Sequence, residues 1–135
     1  MSATVKVTQV PDHVCVGQIH LGQNSGSTKP LLELFYYKNG NINMAIEQTP
    51  AGGNEVLHAV GNVPLGKQFS YVITLTGGKT IGLKLNGTSH SWALPSSFNG
   101  FPMYFKAGDY DQSTGGSSTV GAKVQFYALS VMHAA

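Results

Sequence analysis

The sequence contains no arginine, and its eight basic residues are all lysines. Charged residues make up only 10% of the chain, well below the roughly one quarter that is usual in soluble domains. There is no basic run and no interleaving of lysines with aromatic side chains, which argues against a nucleic-acid partner. The net charge of +2 is compatible with a polyanionic partner, but lysines spread singly along a chain are also typical of a solvated surface.

Cysteine and long apolar runs are equally scarce. Cys15 is the single cysteine, so no intramolecular disulfide can form. Its setting, Val14-Cys15-Val16, is typical of a small buried residue on a strand rather than of a reactive thiol. No apolar stretch approaches the roughly eighteen residues of a membrane span, and residues 1–6 contain no hydrophobic segment of a signal peptide. We therefore expect no membrane partner and no export signal within this chain.

What the sequence does contain is a series of short runs in which apolar and polar residues alternate. Asn-Gly and Gly-Gly pairs at 38–41, 76–79 and 85–88 separate several of these runs and predict tight hairpins. The pattern predicts an all-β fold, an antiparallel β-sandwich or jelly roll, formed by one domain over residues 1–135. The predicted strands are 4–10, 14–21, 31–37, 42–47, 69–76, 80–85, 103–107 and 123–133.

Two of the predicted strands carry polar side chains where a core would need apolar ones. Gln18 and His20 lie two residues apart and so project from the same face of a strand. A second set shares one face if the strand continues beyond residue 107: Tyr104, Lys106, Tyr110 and Gln112. Polar loops at 23–30 and 111–120 follow these strands. Such a face is typical of a polar cleft, and loops of this kind often border a binding groove.

These segments resemble two motifs of one enzyme family. Gln18-Ile19-His20 matches Q-I/V-H, and residues 104–112 (YFKAGDYDQ) match Y-F-K-A-G-x-Y-x-Q, of the alginate lyases in polysaccharide lyase family 7. The order and separation of the motifs and the closing strand at 124–131 are also similar, so the resemblance covers essentially the whole chain. It implies a jelly roll that cleaves alginate, an acidic polysaccharide, by β-elimination without metal or cofactor. It also implies a secreted or periplasmic protein.

The resemblance also implies roles for the residues of the two motifs. As the C5 proton of a uronate leaves, negative charge develops on the adjacent carboxylate, and the amide of Gln18 is suited to stabilise it. His20 is implied as base or neutralising partner, since imidazoles exchange protons near neutral pH. Tyr110 is implied to protonate the departing O4 and, in syn geometry, to take the C5 proton. The residues implied to hold neighbouring sugars are Tyr104, Lys106 and Gln112.

The remaining ionisable residues match no motif. Glu33 and Glu47 lie in alternating runs, where they are expected to face solvent or the wall of the cleft. The other histidines are expected in turns, on the surface or at strand ends: His13, His58, His90 and His133. No group of residues has the ligand spacing of a zinc or calcium site.

One feature of the family is missing. Its members normally begin with further strands that carry an R-S/T-E-L-R motif, whose first arginine helps to neutralise the substrate carboxylate, and this chain has no such segment. Loss of strands predicts exposed sheet edges. The chain is then a miniature lyase that closes its sheets differently or by self-association, a fragment of a longer protein, or a lectin-like binding module without turnover. Retention of Gln18, His20 and Tyr110 favours the lyase.

Overall fold

The computed structural model describes residues 1–22, 25–112 and 121–132. Ten strands form two five-stranded sheets, in which all neighbouring strands that pair are antiparallel. The strands are β1 (Ser2–Gln9), β2 (His13–Leu21), β3 (Pro30–Tyr37), β4 (Asn41–Ile46), β5 (Val56–Asn62), β6 (Gln68–Thr76), β7 (Thr80–Leu85), β8 (Thr88–Ala93), β9 (Met103–Asp111) and β10 (Lys123–Ser130). A 3-10 helix spans Ser96–Phe98. The predicted all-β antiparallel sandwich is confirmed.

Each sheet combines strands from the early and the late part of the chain. Sheet I has the order β10-β1-β6-β7-β8, and sheet II has the order β5-β4-β3-β2-β9. Both sequence motifs therefore belong to sheet II, on the neighbouring strands β2 and β9. No helix among the described residues has the length and apolar character needed to cross a lipid bilayer.

The core lies between the two sheets and is built from the apolar positions of the alternating runs. In β1, for example, Val5 and Val7 are buried on either side of the half-buried Lys6. Tyr36 of sheet II stacks on Phe69 of sheet I with ring centroids 5.7 Å apart, and its hydroxyl donates to the Val63 carbonyl. Each fully buried large side chain of this kind contributes roughly 1.5–3 kcal/mol, so the paired inner faces hold the sheets together.

The predicted hairpins occur where the turn residues indicate them. Asn86 and Gly87 connect β7 to β8 with positive φ angles of 47° and 86°, as a two-residue hairpin turn between twisted strands requires. The Asn86 side-chain oxygen accepts a hydrogen bond from the backbone N–H of Ser70 in β6, which ties the turn to the neighbouring strand.

The sequence pattern fails at the margins of the sheets. It predicts neither β5 nor β8, and it ends the strand at residue 107 where β9 continues to Asp111. Both missed strands lie at the edge of a sheet, and within β5 only Val60 is buried. A strand with one buried residue has no hydrophobic alternation to detect. At the other end of the chain, His133 of the predicted last strand lies outside the described residues.

A bulge in β2 determines which of its residues face the core and which face outward from sheet II. Cys15 pairs with Phe35 and Gly17 with Leu34, so β2 carries one more residue than β3 at this point. Val16 and Gly17 therefore both face the core, where the Tyr71 hydroxyl donates to the Val16 carbonyl at 2.7 Å. Because of this slip, Cys15 and Gln18 face the same side although they lie three residues apart.

The bulge depends on the absence of a side chain at Gly17. A Cβ atom there would lie 2.8 Å from the Tyr71 hydroxyl oxygen, which is buried and hydrogen-bonded. We expect Gly17→Ala to lower the free energy of unfolding by about 1–3 kcal/mol, the usual cost of overpacking a core. Chemical denaturation measures this loss. Gly121→Ala is the matched control, since no atom lies within 4 Å of the added methyl group, and an equal effect of both substitutions would contradict the argument.

Candidate active site

The register of β2 and β9 brings the two motifs onto one face of sheet II. Gln18 pairs with Lys106 and His20 pairs with Tyr104. Directly paired residues of antiparallel strands project to the same side, so the four side chains form two adjacent rows. Beyond the bulge, Tyr110 pairs with Cys15 on that same side. The spacing of two within each motif predicts this arrangement, and the structure places the residues accordingly.

A cavity of about 220 Å³ opens between the two strands on this face. Gln18 forms part of its floor and is only 8% exposed, whereas Tyr110 stands at its rim with 62% of its surface exposed. The complete lining is Cys15, Gly17, Gln18, Lys106, Ala107, Gly108, Asp109 and Tyr110. We refer to this cavity together with the adjoining His20 and Tyr104 as the cleft.

The amide of Gln18 is held by a carboxylate that the motifs do not include. Its Nε2 donates to Oε2 of Glu33 at 3.1 Å, from the paired position on β3. An ionised carboxylate only accepts hydrogen bonds, so it fixes the nitrogen end of the amide toward β3. A second N–H on the same nitrogen remains for a ligand. Sequence reasoning placed Glu33 in solvent or on the cleft wall and missed this partnership, although Glu33 alternates with the buried Leu32 and Leu34.

His20 is oriented by its own strand. Its Nδ1 lies 3.0 Å from the carbonyl oxygen of Leu21, and because a carbonyl only accepts, Nδ1 carries the proton in the neutral ring. Nε2 is then the atom with a free lone pair, which is what a base requires. The ring also contacts Tyr104, with centroids 5.4 Å apart and a tilt of 39°, so its orientation is restrained from two sides.

Lys106 supplies the positive charge of the cleft. Its Nζ lies 5.5 Å from the centre of the Tyr104 ring, a cation-π distance that holds the ammonium over the row formed by His20 and Tyr104. Tyr104 is 39% exposed, so its hydroxyl is accessible to a ligand.

Gln112 lies apart from the other motif residues. It follows the end of β9, where its backbone N–H donates to the His13 carbonyl and its side-chain Nε2 donates to the Tyr110 carbonyl at 3.4 Å. It does not line the cavity. A contact between Gln112 and substrate therefore concerns a sugar beyond the cavity.

Burial alters the ionisation of two groups in the cavity wall. Burial, and then the nearby Glu33, raise the pKa of the Cys15 thiol, so the thiol stays protonated and is not a nucleophile. Burial, and then the charge of Asp111, also raise the pKa of Asp109. Among the described residues, no three histidine, cysteine, aspartate or glutamate side chains are grouped closely enough to hold a metal ion.

The other described histidines lie outside the cleft. His13 contacts Asp12 at 2.6 Å and stacks on Tyr37. His58 and His90 contact the Trp92 ring with centroids 5.0 and 6.0 Å away, at the edge formed by β5 and β8. His13 lies at a strand end as predicted, but His58 and His90 are half-buried within the edge strands β5 and β8 rather than in turns or at strand ends.

Glu33 provides a direct test of how the Gln18 amide is positioned. In Glu33→Gln the partner can donate as well as accept, so the Gln18 amide is free to rotate by half a turn. We expect kcat for a cleft substrate to fall by about tenfold with little change in KM, since one charge-assisted hydrogen bond contributes roughly 1.5–3 kcal/mol. Glu55→Gln, in the loop before β5, is the control. A change in KM alone would contradict the positioning role.

The family relationship follows from the sequence as a whole. The alginate lyase family model matches residues 1–133. The chain therefore belongs to the alginate lyase family. No curated protein sequence matches the chain significantly.

Solved structures show the same relationship in three dimensions. Alginate lyase PA1167 from Pseudomonas aeruginosa is 31% identical with a TM-score of 0.89, over 98% of this chain and 63% of that chain. Alginate lyase A1-II', a member of polysaccharide lyase family 7, is 28% identical with a TM-score of 0.83, over 98% of this chain and 60% of that one. Variants of A1-II' have been solved with product (GGG) and with substrate (GGMG). This chain thus spans about three fifths of the length of these relatives.

Proposed function

We propose that the chain is a polysaccharide lyase that cleaves alginate by β-elimination and leaves an unsaturated uronosyl end. The observation that carries the proposal is the convergence of Gln18, His20 and Tyr110 on one face of sheet II, across the paired strands β2 and β9. An amide donor, a ring nitrogen with a free lone pair and an exposed phenol are the three groups that this elimination needs. The A1-II' complexes with alginate oligosaccharides support this substrate class.

On the substrate, the reaction breaks the C5–H and C4–O4 bonds and forms the second C4–C5 bond and an O4–H bond. A base, His20 Nε2 or the ionised Tyr110 hydroxyl, takes the C5 proton, and the electron pair forms the C4–C5 double bond as the C4–O4 bond breaks. Tyr110 or the protonated base then supplies the proton that O4 needs to leave as a neutral hydroxyl. Negative charge passes through the C5 carboxylate on the way. The remaining N–H of Gln18 and the ammonium of Lys106 are placed to stabilise that charge.

Lys106 supplies the positive charge for this stabilisation. With no arginine in the chain, the ammonium is the cation that lines the cavity. A lysine binds a carboxylate as a point charge, without the two parallel hydrogen bonds of a guanidinium. Lys106 therefore attracts the substrate carboxylate without fixing its orientation.

Incubation with alginate tests the proposal directly. Growth of the ultraviolet absorbance of unsaturated uronosyl ends shows elimination, and it should slow by about a hundredfold or more when Tyr110 is replaced by phenylalanine. Binding of alginate without any growth in absorbance would overturn the lyase proposal and identify a lectin-like binding module or a catalytically impaired fragment. The absence of an arginine is the observation that favours this alternative.

We also propose that self-association covers one open side of the sandwich. The strands β9 and β10 each have a neighbour on one side only among the described residues. Leu129 and Met132 are 53% and 82% exposed, and Met132 borders an open cavity of about 570 Å³ together with Met103 and Phe105. Unpaired strands next to exposed apolar side chains are templates for pairing with a second copy. Sedimentation equilibrium tests this, and a monomer at all concentrations would refute it.

A further inference from the structure

The fold separates the charges of the chain by sheet. The strands of sheet I and the tight turn between β6 and β7 contain lysines and no acidic residue: Lys6, Lys79, Lys84 and Lys123. Two further charged residues lie in segments that join one sheet to the other, Lys67 just before β6 and Asp12 just before β2. All the acidic residues lie on sheet II or in the segments adjoining its strands: Asp12, Glu33, Glu47, Glu55, Asp109 and Asp111. The lysines on that side are Lys29, Lys38 and Lys106. The net charge of +2 is therefore the sum of an excess of lysines on sheet I and an excess of carboxylates on sheet II.

Strand alternation turns the lysines of sheet I outward. Lys6 lies between the buried Val5 and Val7, and Lys84 lies between the buried Leu83 and Leu85. Since neighbouring residues of a strand face opposite sides, both lysines project from the outer face. Lys123 is likewise exposed at the start of β10, next to the half-buried Val124. Short polar side chains also lie on this face, such as Thr4 and Ser70, whose hydroxyl oxygens are 3.0 Å apart.

An exposed aromatic ring lies within this cationic face. Tyr127 of β10 is 49% exposed, and Nζ of Lys6 lies 5.7 Å from the centre of its ring. The Tyr127 hydroxyl donates to Oε1 of Gln125 at 2.8 Å, which holds the ring in place. A ring of this kind packs against the apolar face of a sugar, while an adjacent ammonium pairs with a carboxylate. Both groups are needed to recognise a uronate, and here they are side by side.

We infer that the outer face of sheet I, around Lys6, Tyr127 and Lys123, is a second binding surface for an acidic polysaccharide, separate from the cleft. That the polyanion is the polyuronate substrate rests on the function proposed above. Packed sheets are about 10 Å apart, close to the screening length at physiological ionic strength, so a polyanion near sheet I is little affected by the carboxylates of sheet II. The cationic face therefore attracts the polymer even though the cleft side is anionic.

The consequence for the enzyme is retention of the polymer. A chain long enough to touch both sheets is held by sheet I while its other segments reach the cleft, which raises the effective concentration of cleavable linkages. A short oligosaccharide cannot touch both surfaces. The outer face of sheet I should therefore increase affinity for alginate polymer and leave affinity for a trisaccharide unchanged.

A charge-matched comparison tests the inference. The test variant is Lys6→Gln/Lys123→Gln, and the control is Lys38→Glu in the β3–β4 turn, which changes the net charge by the same amount. Both variants and the reference protein carry Tyr110→Phe, so that cleavage of the polymer does not disturb the binding measurement. Thermal unfolding checks that all three proteins are folded. We expect the double variant to bind alginate polymer about five- to tenfold more weakly at low salt, with a smaller dependence of affinity on salt concentration. The control should change less than about twofold.

These binding measurements test whether sheet I binds the polymer, and they do not depend on catalysis. Equal losses in the double variant and the control would show an effect of net charge alone and overturn the inference. So would a dimer that forms without alginate and is lost only in the double variant, since sheet I would then bind the anionic sheet of a second copy. An equal loss of trisaccharide binding would overturn it as well, by placing the lysines in the cleft. Failure of the lyase proposal would instead appear as absent elimination by the unmodified protein, with polymer binding still measurable.

Discussion

Replacement of Tyr110 by phenylalanine is expected to lower the turnover of alginate by about a hundredfold or more. The substitution keeps the ring and removes the exposed phenolic hydroxyl at the rim of the cavity. If that hydroxyl protonates O4 in the rate-limiting step, its loss removes a positioned acid, and such groups typically contribute 10²–10⁴-fold. Affinity for alginate should change far less. Initial rates of ultraviolet absorbance growth, with binding measured separately, give both quantities.

Tyr104→Phe is the matched control for that substitution. Tyr104 stands on the same strand and the same face, but it pairs with His20 rather than with Cys15. Its hydroxyl is expected to hold a bound sugar, which is worth about 1 kcal/mol, so KM should rise by several-fold with kcat nearly unchanged. Near wild-type elimination in Tyr110→Phe would show that the proposed role of Tyr110 is wrong.

Replacement of His20 by glutamine is expected to cost about a hundredfold in kcat. The side-chain amide of glutamine can still donate a hydrogen bond near the position of Nε2, but it cannot accept a proton. Because Nδ1 is committed to the Leu21 carbonyl, Nε2 is the base that the substitution removes. Single-turnover rates with saturating alginate measure the chemical step. His58→Gln, on the edge strand β5, makes the same chemical change outside the cleft and should leave the rate unaffected.

The two substitutions together separate the candidate bases. If His20→Gln retains most of the rate while Tyr110→Phe loses it, Tyr110 both abstracts and donates the proton, and His20 serves only to neutralise charge. If both lose the rate, the two residues act in one proton-transfer step, and the double variant should be no slower than the more impaired single variant.

The strands with alternating burial can be predicted from the sequence, whereas the edge strands β5 and β8 cannot. In β1, β6 and β7 almost every second residue is buried, so the alternation of apolar and polar residues in the sequence matches the alternation of buried and exposed positions. The edge strands β5 and β8 bury few side chains, so their sequences show no such alternation. Their existence follows from hydrogen bonding to β4 and β7, which a single sequence does not display.

The same distinction holds for the cleft. Its motif residues could be placed on one face because strand periodicity is local. The bulge at Gly17 could not be predicted, since the Tyr71 hydroxyl that donates to the Val16 carbonyl comes from the opposite sheet. The bond between Gln18 and Glu33 depends on the register of β2 against β3, and the separation of lysines from carboxylates depends on which strands share a sheet. These are properties of the topology rather than of any segment.

The position of β9 at the border of its sheet has a consequence for motion. Among the described residues β9 pairs with one strand, β2, and that pairing joins distant parts of the chain, whereas β6 and β7 are joined by a tight turn and each has a paired strand on both sides. Local opening is easiest where few contacts must break at once. Amide hydrogens of β9 should thus exchange with solvent faster than those of β6. A polysaccharide bound across β2 and β9 contacts both strands and opposes their separation. It should therefore slow amide exchange more in β9 than in β6.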